Sequence, residues 1–223
     1  MPFRNREHAA RLLADRLGEY RGRNPLVLAI PRGAAPMAAI IADALGGEVD
    51  VVLVRKLGAP GQPELAIGAV DETGHVSLVH TAKELGVSGE YVAREVEAQT
   101  KTIRARRALY TPVHPPIEPA GRIVIVVDDG IATGATMLAA LAEVRARRPA
   151  TLVAAMGVAP ADVIQRIQDL ADRVVCLETP EVMFAVGEFY REFSSVADDE
   201  VVEILKQRRA PVKTGTRGAD IHP

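Results

Sequence analysis

The segment IVIVVDDGIATGATMLAALAEV, residues 123–144, combines residue types that could bind a small polar molecule. An unbroken run of Ile and Val is followed directly by Asp128 and Asp129, and then by a loop of Gly, Ala and Thr. Two neighbouring carboxylates at the end of a buried strand repel each other unless hydroxyl groups or a cation meet them. The sequence therefore predicts a site for vicinal hydroxyls or for Mg2+ at this position.

The loop after the two aspartates is suited to a phosphate group. Gly130 and Gly134 permit tight or left-handed turns that aim successive N–H groups at an anion. The helix predicted to begin near Gly134 adds its positive end, and Thr133 and Thr136 supply hydroxyl donors. A ribose 5-phosphate carries hydroxyls and a phosphate close together, so one small molecule could occupy the whole segment.

A purely structural role would account for only part of this segment. A strand–turn–helix with an aspartate cap needs one aspartate and one glycine, not two aspartates and two threonines. The sequence contains no G-x-x-x-x-G-K-S/T, which excludes a Walker A loop. It also contains no G-x-G-x-x-G after a strand, which argues against a dinucleotide-binding oxidoreductase.

Strands and helices alternate along the chain around this segment. Helices are predicted after Asn5 and in five later segments: from Pro36 to Ala44, 88–110, from Gly134 to Arg147, from Pro160 to Leu170, and from Ser195 to Lys206. Short apolar runs predict buried strands at 25–30, 49–57, 123–127, 151–158 and 173–178. This alternation is typical of an α/β fold with a mostly parallel sheet flanked by helices.

Residues 58–120 interrupt that alternation and predict an inserted flap. ELAIGAV and HVSLVH, separated by DETG, predict a hairpin, and the Gly and Pro residues at 58–63 predict a loop. We expect one domain over residues 1–206, with a core at about 25–178 and a small hood at about 179–206 that includes the N-terminal helix. The polar residues 207–223 are expected to form a disordered tail.

Composition narrows the class of protein. The 223 residues are 48% hydrophobic and 25% charged, and the formal net charge of −2 argues against nucleic acid as a partner. The single cysteine, Cys176, excludes an internal disulfide and fits the cytoplasm. No apolar run approaches the roughly 18 residues that a membrane span needs, so no membrane partner is expected. The histidines show no paired metal-ligand spacing.

The segment VIVVDDGIATGAT resembles the motif with which type I phosphoribosyltransferases bind 5-phosphoribosyl 1-pyrophosphate (PRPP). The chain looks most similar to poorly characterised bacterial members of that family. The resemblance implies that Asp128 and Asp129 hold the ribose 2- and 3-hydroxyls. It also implies a set of residues that hold the 5-phosphate: Gly130, Ala132, Thr133, Gly134, Ala135 and Thr136.

Two further segments resemble the pyrophosphate-binding elements of that family. LAIPRGAAPMA matches the pyrophosphate loop, so Arg32 and Gly33 are candidates for binding the diphosphate. VLVRKLGAPGQPELAIGAV resembles the element with a basic residue that reaches the diphosphate, here Lys56 with Arg55 beside it. The implied cofactor is Mg2+, held mainly by PRPP, with Asp128 as a possible additional ligand together with Asp129.

The segment TPEVMFAVGEFYREF resembles the hood of hypoxanthine-guanine phosphoribosyltransferases. That likeness implies that Phe184 stacks on a base and that Ala185 or Val186 offers backbone contacts; an equal alternative is that these aromatic residues only pack a small subdomain. Ala132 stands where 6-oxopurine enzymes carry a third acid, and residues 102–205 contain no lysine to read a 6-oxo group. The resemblance therefore leaves the base unassigned.

Two functions follow from the resemblance. The first is a Mg2+-dependent phosphoribosyltransferase that displaces pyrophosphate from PRPP with a nitrogenous base. The second is a non-catalytic PRPP- or nucleotide-sensing module of the same fold, which the missing base-reading groups favour. Arg104, Arg106 and Arg107 on one predicted helix are expected to form a solvated or interface face, with phosphate or RNA contact as an alternative. A homodimer is expected because homodimers are common in the family.

Overall fold

The computed structural model describes residues 2–78 and 80–208. The predicted disordered tail at 207–223 is wrong at Gln207, which is the last residue of a helix, and its part at 209–223 lies outside the described residues. The described helices are α1 (Arg6–Arg16), α2 (Ala35–Leu45), α3 (His80–Glu84), α4 (Gly89–Tyr110), α5 (Ala135–Ala146), α6 (Ala161–Gln168) and α7 (Asp198–Gln207). The described strands are β1 (Leu26–Ala29), β2 (Glu48–Val51), β3 (Val54–Ala59), β4 (Gln62–Asp71), β5 (Val76–Leu78), β6 (Ile123–Asp128), β7 (Thr151–Val158) and β8 (Arg173–Glu178).

The main sheet has five parallel strands in the order β2-β1-β6-β7-β8. Alternate residues of its central strands enter two different buried clusters: Val27 and Val127 join the cluster that contains α1 and α2, whereas Leu28 and Val126 join the cluster that contains α5 and α6. Because helices cover both faces, the strands are apolar throughout and not alternating. The predicted α/β fold with a mostly parallel sheet flanked by helices is confirmed.

Local signals explain where several helices begin. Asn5 caps α1, and its Oδ1 accepts a hydrogen bond of 3.0 Å from the N–H of His8. Ser88 caps α4 in the same way, with its Oγ accepting from the N–H of Tyr91. At α7, the carboxylate of Glu200 accepts from the N–H of Ala197, so this helix begins at Asp198, later than the predicted Ser195.

The predicted single strand at 49–57 is wrong, because it forms two strands in two sheets. β2 ends at Val51, and β3 begins at Val54 in a separate antiparallel sheet of order β3-β4-β5. Burial differs between the two strands: β2 is almost wholly buried, whereas β3 carries the half-buried Arg55 and Lys56. The flap therefore begins at Val54, before the predicted 58.

The flap sheet also corrects the predicted loop at 58–63. β3 continues to Ala59 and β4 begins at Gln62, so only a tight turn separates them. The predicted hairpin is confirmed, and β4 and β5 form it. Asp71 stabilises its turn, because Oδ1 accepts from Thr73 N, Thr73 Oγ1 and His75 N at 2.9, 2.6 and 2.9 Å.

A network of charged side chains ties the flap to the core. Glu72, in the turn of the β4–β5 hairpin, accepts hydrogen bonds from Arg107 of α4 and from Arg147, which follows α5, at 2.8 and 3.1 Å. Arg147 also donates to Glu143 of α5 at 2.6 Å. Glu143 is only 6% exposed. The network joins the flap to the helix that follows the Gly/Ala/Thr loop.

The N-terminal segment pairs with the hood. The N–H of Phe3 donates to the carbonyl of Phe189 at 2.7 Å, and the N–H of Arg191 donates to the carbonyl of Phe3 at 2.9 Å. The rings of Phe3 and Tyr190 lie 5.2 Å apart, which buries both side chains. None of the described helices combines the length and the apolar character that a bilayer span requires.

Glu143 makes the stability of the fold pH-dependent. Burial raises the pKa of Glu143 from 4.5 to about 7, against the opposing effect of Arg147. Between pH 4.5 and about pH 7 the folded state therefore keeps a proton that the unfolded state loses. The free energy of unfolding falls as pH rises through this window, by roughly 3 kcal/mol at most. Glu143→Gln should make the free energy of unfolding less dependent on pH in this window.

Urea denaturation across that pH window measures the effect. Glu97→Gln, an exposed glutamate on α4, is the matched control and should keep the slope of the wild-type protein. Parallel profiles for Glu143→Gln and wild type would contradict the prediction.

Candidate functional site

A cleft of about 250 Å³ lies at the carboxyl ends of β1 and β6, which are neighbours in the parallel sheet. In such sheets this edge is where ligands bind. The cleft brings together five of the predicted site residues, which are Arg32, Gly33, Lys56, Asp128 and Thr136. Its other lining residues are Ile30, Pro31, Val54 and Arg55.

Size alone does not select this cleft. Cavities of about 400 and 350 Å³ lie beside α1 and between the flap and α5. Neither of them has Asp128 or the loop after β1 among its lining residues. The 250 Å³ cleft is lined by a carboxylate and by three cationic side chains, so it is the candidate site on chemical grounds.

The two aspartates have different surroundings. Asp128 lines the cleft, and its Oδ1 accepts a hydrogen bond of 2.8 Å from the N–H of Asp129. Burial, followed by the negative charge of Asp129, raises the pKa of the Asp128 carboxyl well above its usual range. Asp129 instead pairs with Arg6, whose Nε donates to Oδ2 at 2.7 Å. Their side chains are only 13% and 12% exposed.

Arg6 is a residue that the sequence analysis missed. Its Nη1 donates to the carbonyl of Ser194 at 2.5 Å, and its guanidinium lies 3.8 Å from the ring centroid of Phe193. The hydroxyl of Tyr190 donates to the backbone carbonyl of Asp129 at 2.5 Å. The repulsion between the two aspartates did predict a positive partner, but Arg6 lies 123 residues away and no local pattern connects the two positions.

The Gly/Ala/Thr loop begins the helix that points at the cleft. Gly134 has the left-handed φ of 81° and precedes α5 without a side-chain cap, so the first turn of α5 presents uncapped N–H groups. Thr136 lines the cleft, whereas Ala135 is buried and borders the cavity between the flap and α5. Ala132 and Thr133 are exposed, and Arg166 of α6 donates to the carbonyl of Thr133 at 3.2 Å.

Gly130 brings the hood close to the end of β6. A Cβ at this position would lie 2.4 Å from Val186 Cγ1 and 2.7 Å from Val158 Cγ1, so a larger residue would displace Val186. Val186 is half-buried in this contact. Phe184, by contrast, is 84% exposed. Other aromatic residues of the hood do pack: the ring centroids of Tyr190 and Phe193 are 5.0 Å apart, and Phe189 packs against the core.

The predicted arginine face of α4 separates into three environments. Arg104 is exposed, as expected for a solvated face. Arg107 contacts Glu72 of the flap, and Arg106 lies 3.5 Å from Asp198 of α7. The expectation of a solvated face is therefore wrong for Arg106 and Arg107, whose side chains are largely covered by partners from distant segments.

Metal binding by the protein alone has no support among residues 2–78 and 80–208, where no group of three or more His, Cys, Asp or Glu side chains is arranged for it. A Mg2+ ion that takes most of its ligands from a bound substrate fits the site better. Asp128 faces the cleft, and a cation beside it would offset the repulsion from Asp129. Asp129 already has a cationic partner in Arg6.

Comparison with known proteins identifies the family. A model of the family described as "Phosphoribosyl transferase domain" matches residues 4–192. A crystal structure of TT1426 from Thermus thermophilus is 43% identical and superposes with a TM-score of 0.81, covering 94% of this chain and 100% of that one. The chain belongs to the phosphoribosyl transferase domain family, as the resemblance predicted.

Two curated relatives come from Mycobacterium tuberculosis, from strains CDC 1551 and H37Rv. Each carries the name "Putative phosphoribosyl transferase" and is 41% identical over 210 residues. The match covers 91% of this chain and 46% of each relative, so the chain spans about half the length of the curated relatives it matches.

The different surroundings of the two aspartates predict opposite effects on stability. Because the folded state disfavours the charged form of Asp128, Asp128→Asn should raise the melting temperature at neutral pH. Asp129→Asn removes the charge that Arg6 meets and should lower the free energy of unfolding by about 2 kcal/mol. Differential scanning calorimetry of both variants tests this, and shifts of the same sign would refute it.

Proposed function

We propose that this protein transfers the 5-phosphoribosyl group of PRPP to a nitrogenous base and releases pyrophosphate, with Mg2+ as its cofactor. The observation that carries the proposal is the cleft that Asp128 and Thr136 line together with Arg32 and Lys56. Membership of the phosphoribosyl transferase domain family supports it. We also propose that the protein acts as a cytoplasmic homodimer.

Different residues would bind the 5-phosphate and the diphosphate of PRPP. The uncapped N–H groups of α5 and the hydroxyl of Thr136 would bind the 5-phosphate. Gly130, Ala132, Thr133, Gly134 and Ala135 would contribute backbone N–H groups or, for Thr133, a hydroxyl. Arg32, Gly33 and Lys56 would bind the diphosphate.

Asp128 has the central role in the proposed reaction. Its carboxylate would accept hydrogen bonds from the ribose hydroxyls and favour the positive charge that develops at C1 as the bond to pyrophosphate breaks. Asp129 would act mainly by holding the end of β6 through Arg6, which is a change from the role that the resemblance implied. When bound, Mg2+ would neutralise charge on the leaving diphosphate, with Asp128 as its ligand from the chain.

The base would bind between the hood and the cleft. Val186 lies against Gly130, which places the hood backbone beside the residues proposed to hold the ribose. Phe184 is exposed and offers its ring for stacking. The chain carries neither the third acid nor the lysine of 6-oxopurine enzymes, so the proposal leaves the base open.

Release of pyrophosphate from PRPP and Mg2+, with purine and pyrimidine bases offered one at a time, tests the proposal. Wild-type protein should release pyrophosphate with at least one base, and Asp128→Asn should lower kcat/KM by roughly 100-fold. Asp162→Asn, an exposed aspartate on α6, is the charge-matched control. Binding of PRPP without release by any base would favour the sensing module, and absence of PRPP binding would exclude both functions.

The phosphate end of the site has its own test. Thr136→Val removes a hydroxyl from the cleft and should weaken ribose 5-phosphate binding about tenfold, because a hydrogen bond to a charged group is lost. Thr133→Val, at an exposed position of the same loop, should cost less. Isothermal titration calorimetry measures both, and unchanged affinity in Thr136→Val would contradict the assignment.

A further inference from the structure

Asp198, the first residue of α7, lies between two arginines from different parts of the chain. Its Oδ2 is 3.5 Å from Nη1 of Arg32, which lines the cleft. Its Oδ1 is 3.5 Å from Nε of Arg106 on α4. The hydroxyl of Tyr110 donates to the same Oδ1 at 2.6 Å. One carboxylate thus bridges the proposed diphosphate loop and the long helix of the flap.

Three arginines lie near this carboxylate and influence one another, with Glu95 as an opposing negative charge at Arg55. Burial, followed by the positive charges of Arg106 and Arg32, lowers the pKa of Arg55, which also lines the cleft. These three guanidinium groups are therefore close enough to repel one another. A single carboxylate touching two of them offsets only part of that repulsion. An anion with more charge than a carboxylate would offset more.

We propose that Arg106 is a further diphosphate-binding residue, and that Asp198 is an internal counter-anion which the diphosphate displaces from Arg32 and Arg106. The proposal rests on the proposed function, since it assigns the diphosphate of PRPP to this end of the cleft. Two oxygens of one phosphate group can take the place of the two carboxylate oxygens between the guanidinium groups.

Asp198 is bound weakly by the two arginines and strongly by Tyr110, so a ligand can replace it at the arginines. Both arginine contacts are long, at 3.5 Å, and the side chains of Arg32 and Asp198 are 41% and 30% exposed, so solvent weakens the pair. The bond from Tyr110 is short, and burial together with Asp198 raises the pKa of Tyr110, which keeps it a donor. Asp198 can stay bound to Tyr110 while the two guanidinium groups turn to the ligand.

Titration of the full chain with inorganic pyrophosphate tests the proposal through two pairs of variants. Asp198→Asn removes the competing charge, and Asp199→Asn removes the same charge from the next, exposed position of α7. Arg106→Gln removes the proposed ligand, and Arg104→Gln removes an exposed arginine from the same helix. The controls measure the effect of net charge alone, which salt screens.

The two informative variants should act in opposite directions. Asp198→Asn should bind pyrophosphate about threefold to tenfold more tightly than Asp199→Asn, because no carboxylate then competes for the arginines. Arg106→Gln should bind it about tenfold more weakly than Arg104→Gln. The affinity for ribose 5-phosphate should stay the same in all four variants, whereas a structural disturbance of the cleft would change it.

Each arm can overturn the proposal. Equal or weaker pyrophosphate binding by Asp198→Asn, relative to Asp199→Asn, would exclude the counter-anion. Equal binding by Arg106→Gln and Arg104→Gln would exclude Arg106 as a ligand, and this arm remains decisive if Asp198→Asn does not fold. Wild-type protein that binds pyrophosphate but does not turn over PRPP would refute the proposed function alone. If the wild-type protein turns over PRPP but Asp198→Asn shows no gain in pyrophosphate affinity, only the counter-anion is refuted.

Discussion

The ion pair between Arg6 and Asp129 joins the parts of the molecule that the candidate site needs. Asp129 follows the last residue of β6, and Arg6 begins α1. Through its bond to Ser194 and its contact with Phe193, Arg6 also holds the hood. Because these side chains are largely shielded from water, a charge left without its partner would be costly. The pair therefore requires the N-terminal helix, the hood and the end of β6 to assemble together.

That constraint gives the neighbouring aspartates separate tasks. Asp128 lines the cleft, whereas Asp129 is held by Arg6 and has its Oδ2 beside Gly33. The folded protein disfavours the charged forms of two side chains that line the cleft. Burial raises the pKa of Asp128, and burial with nearby arginines lowers the pKa of Arg55. Sites commonly hold such groups at some cost to stability because a ligand of complementary charge relieves them. In the proposed complex, the phosphate groups of PRPP would complement the arginines, whereas the ribose hydroxyls and Mg2+ would meet Asp128.

Prediction from sequence succeeded where the determining interactions are local. The buried run at Ile123–Asp128, the Asn5 cap and the hairpin turn at Asp71 each depend on residues a few positions apart. It failed at 49–57, where an apolar stretch crosses from a parallel strand into an antiparallel one. Periodicity over so few residues does not distinguish these strands, since the choice depends on which sheet edge is free to pair.

The sequence by itself determined the chemistry at the end of β6: two carboxylates, a loop of small residues and the start of a helix, in an α/β fold. Only the tertiary structure decided which carboxylate faces the cleft and which cations surround it. Arg6 meets Asp129 across 123 residues, and Asp198 reaches Arg32 across 166. Such contacts depend on the packing of helices against the sheet and the flap, and the strength of each charge depends on its burial, which no local pattern of residues encodes.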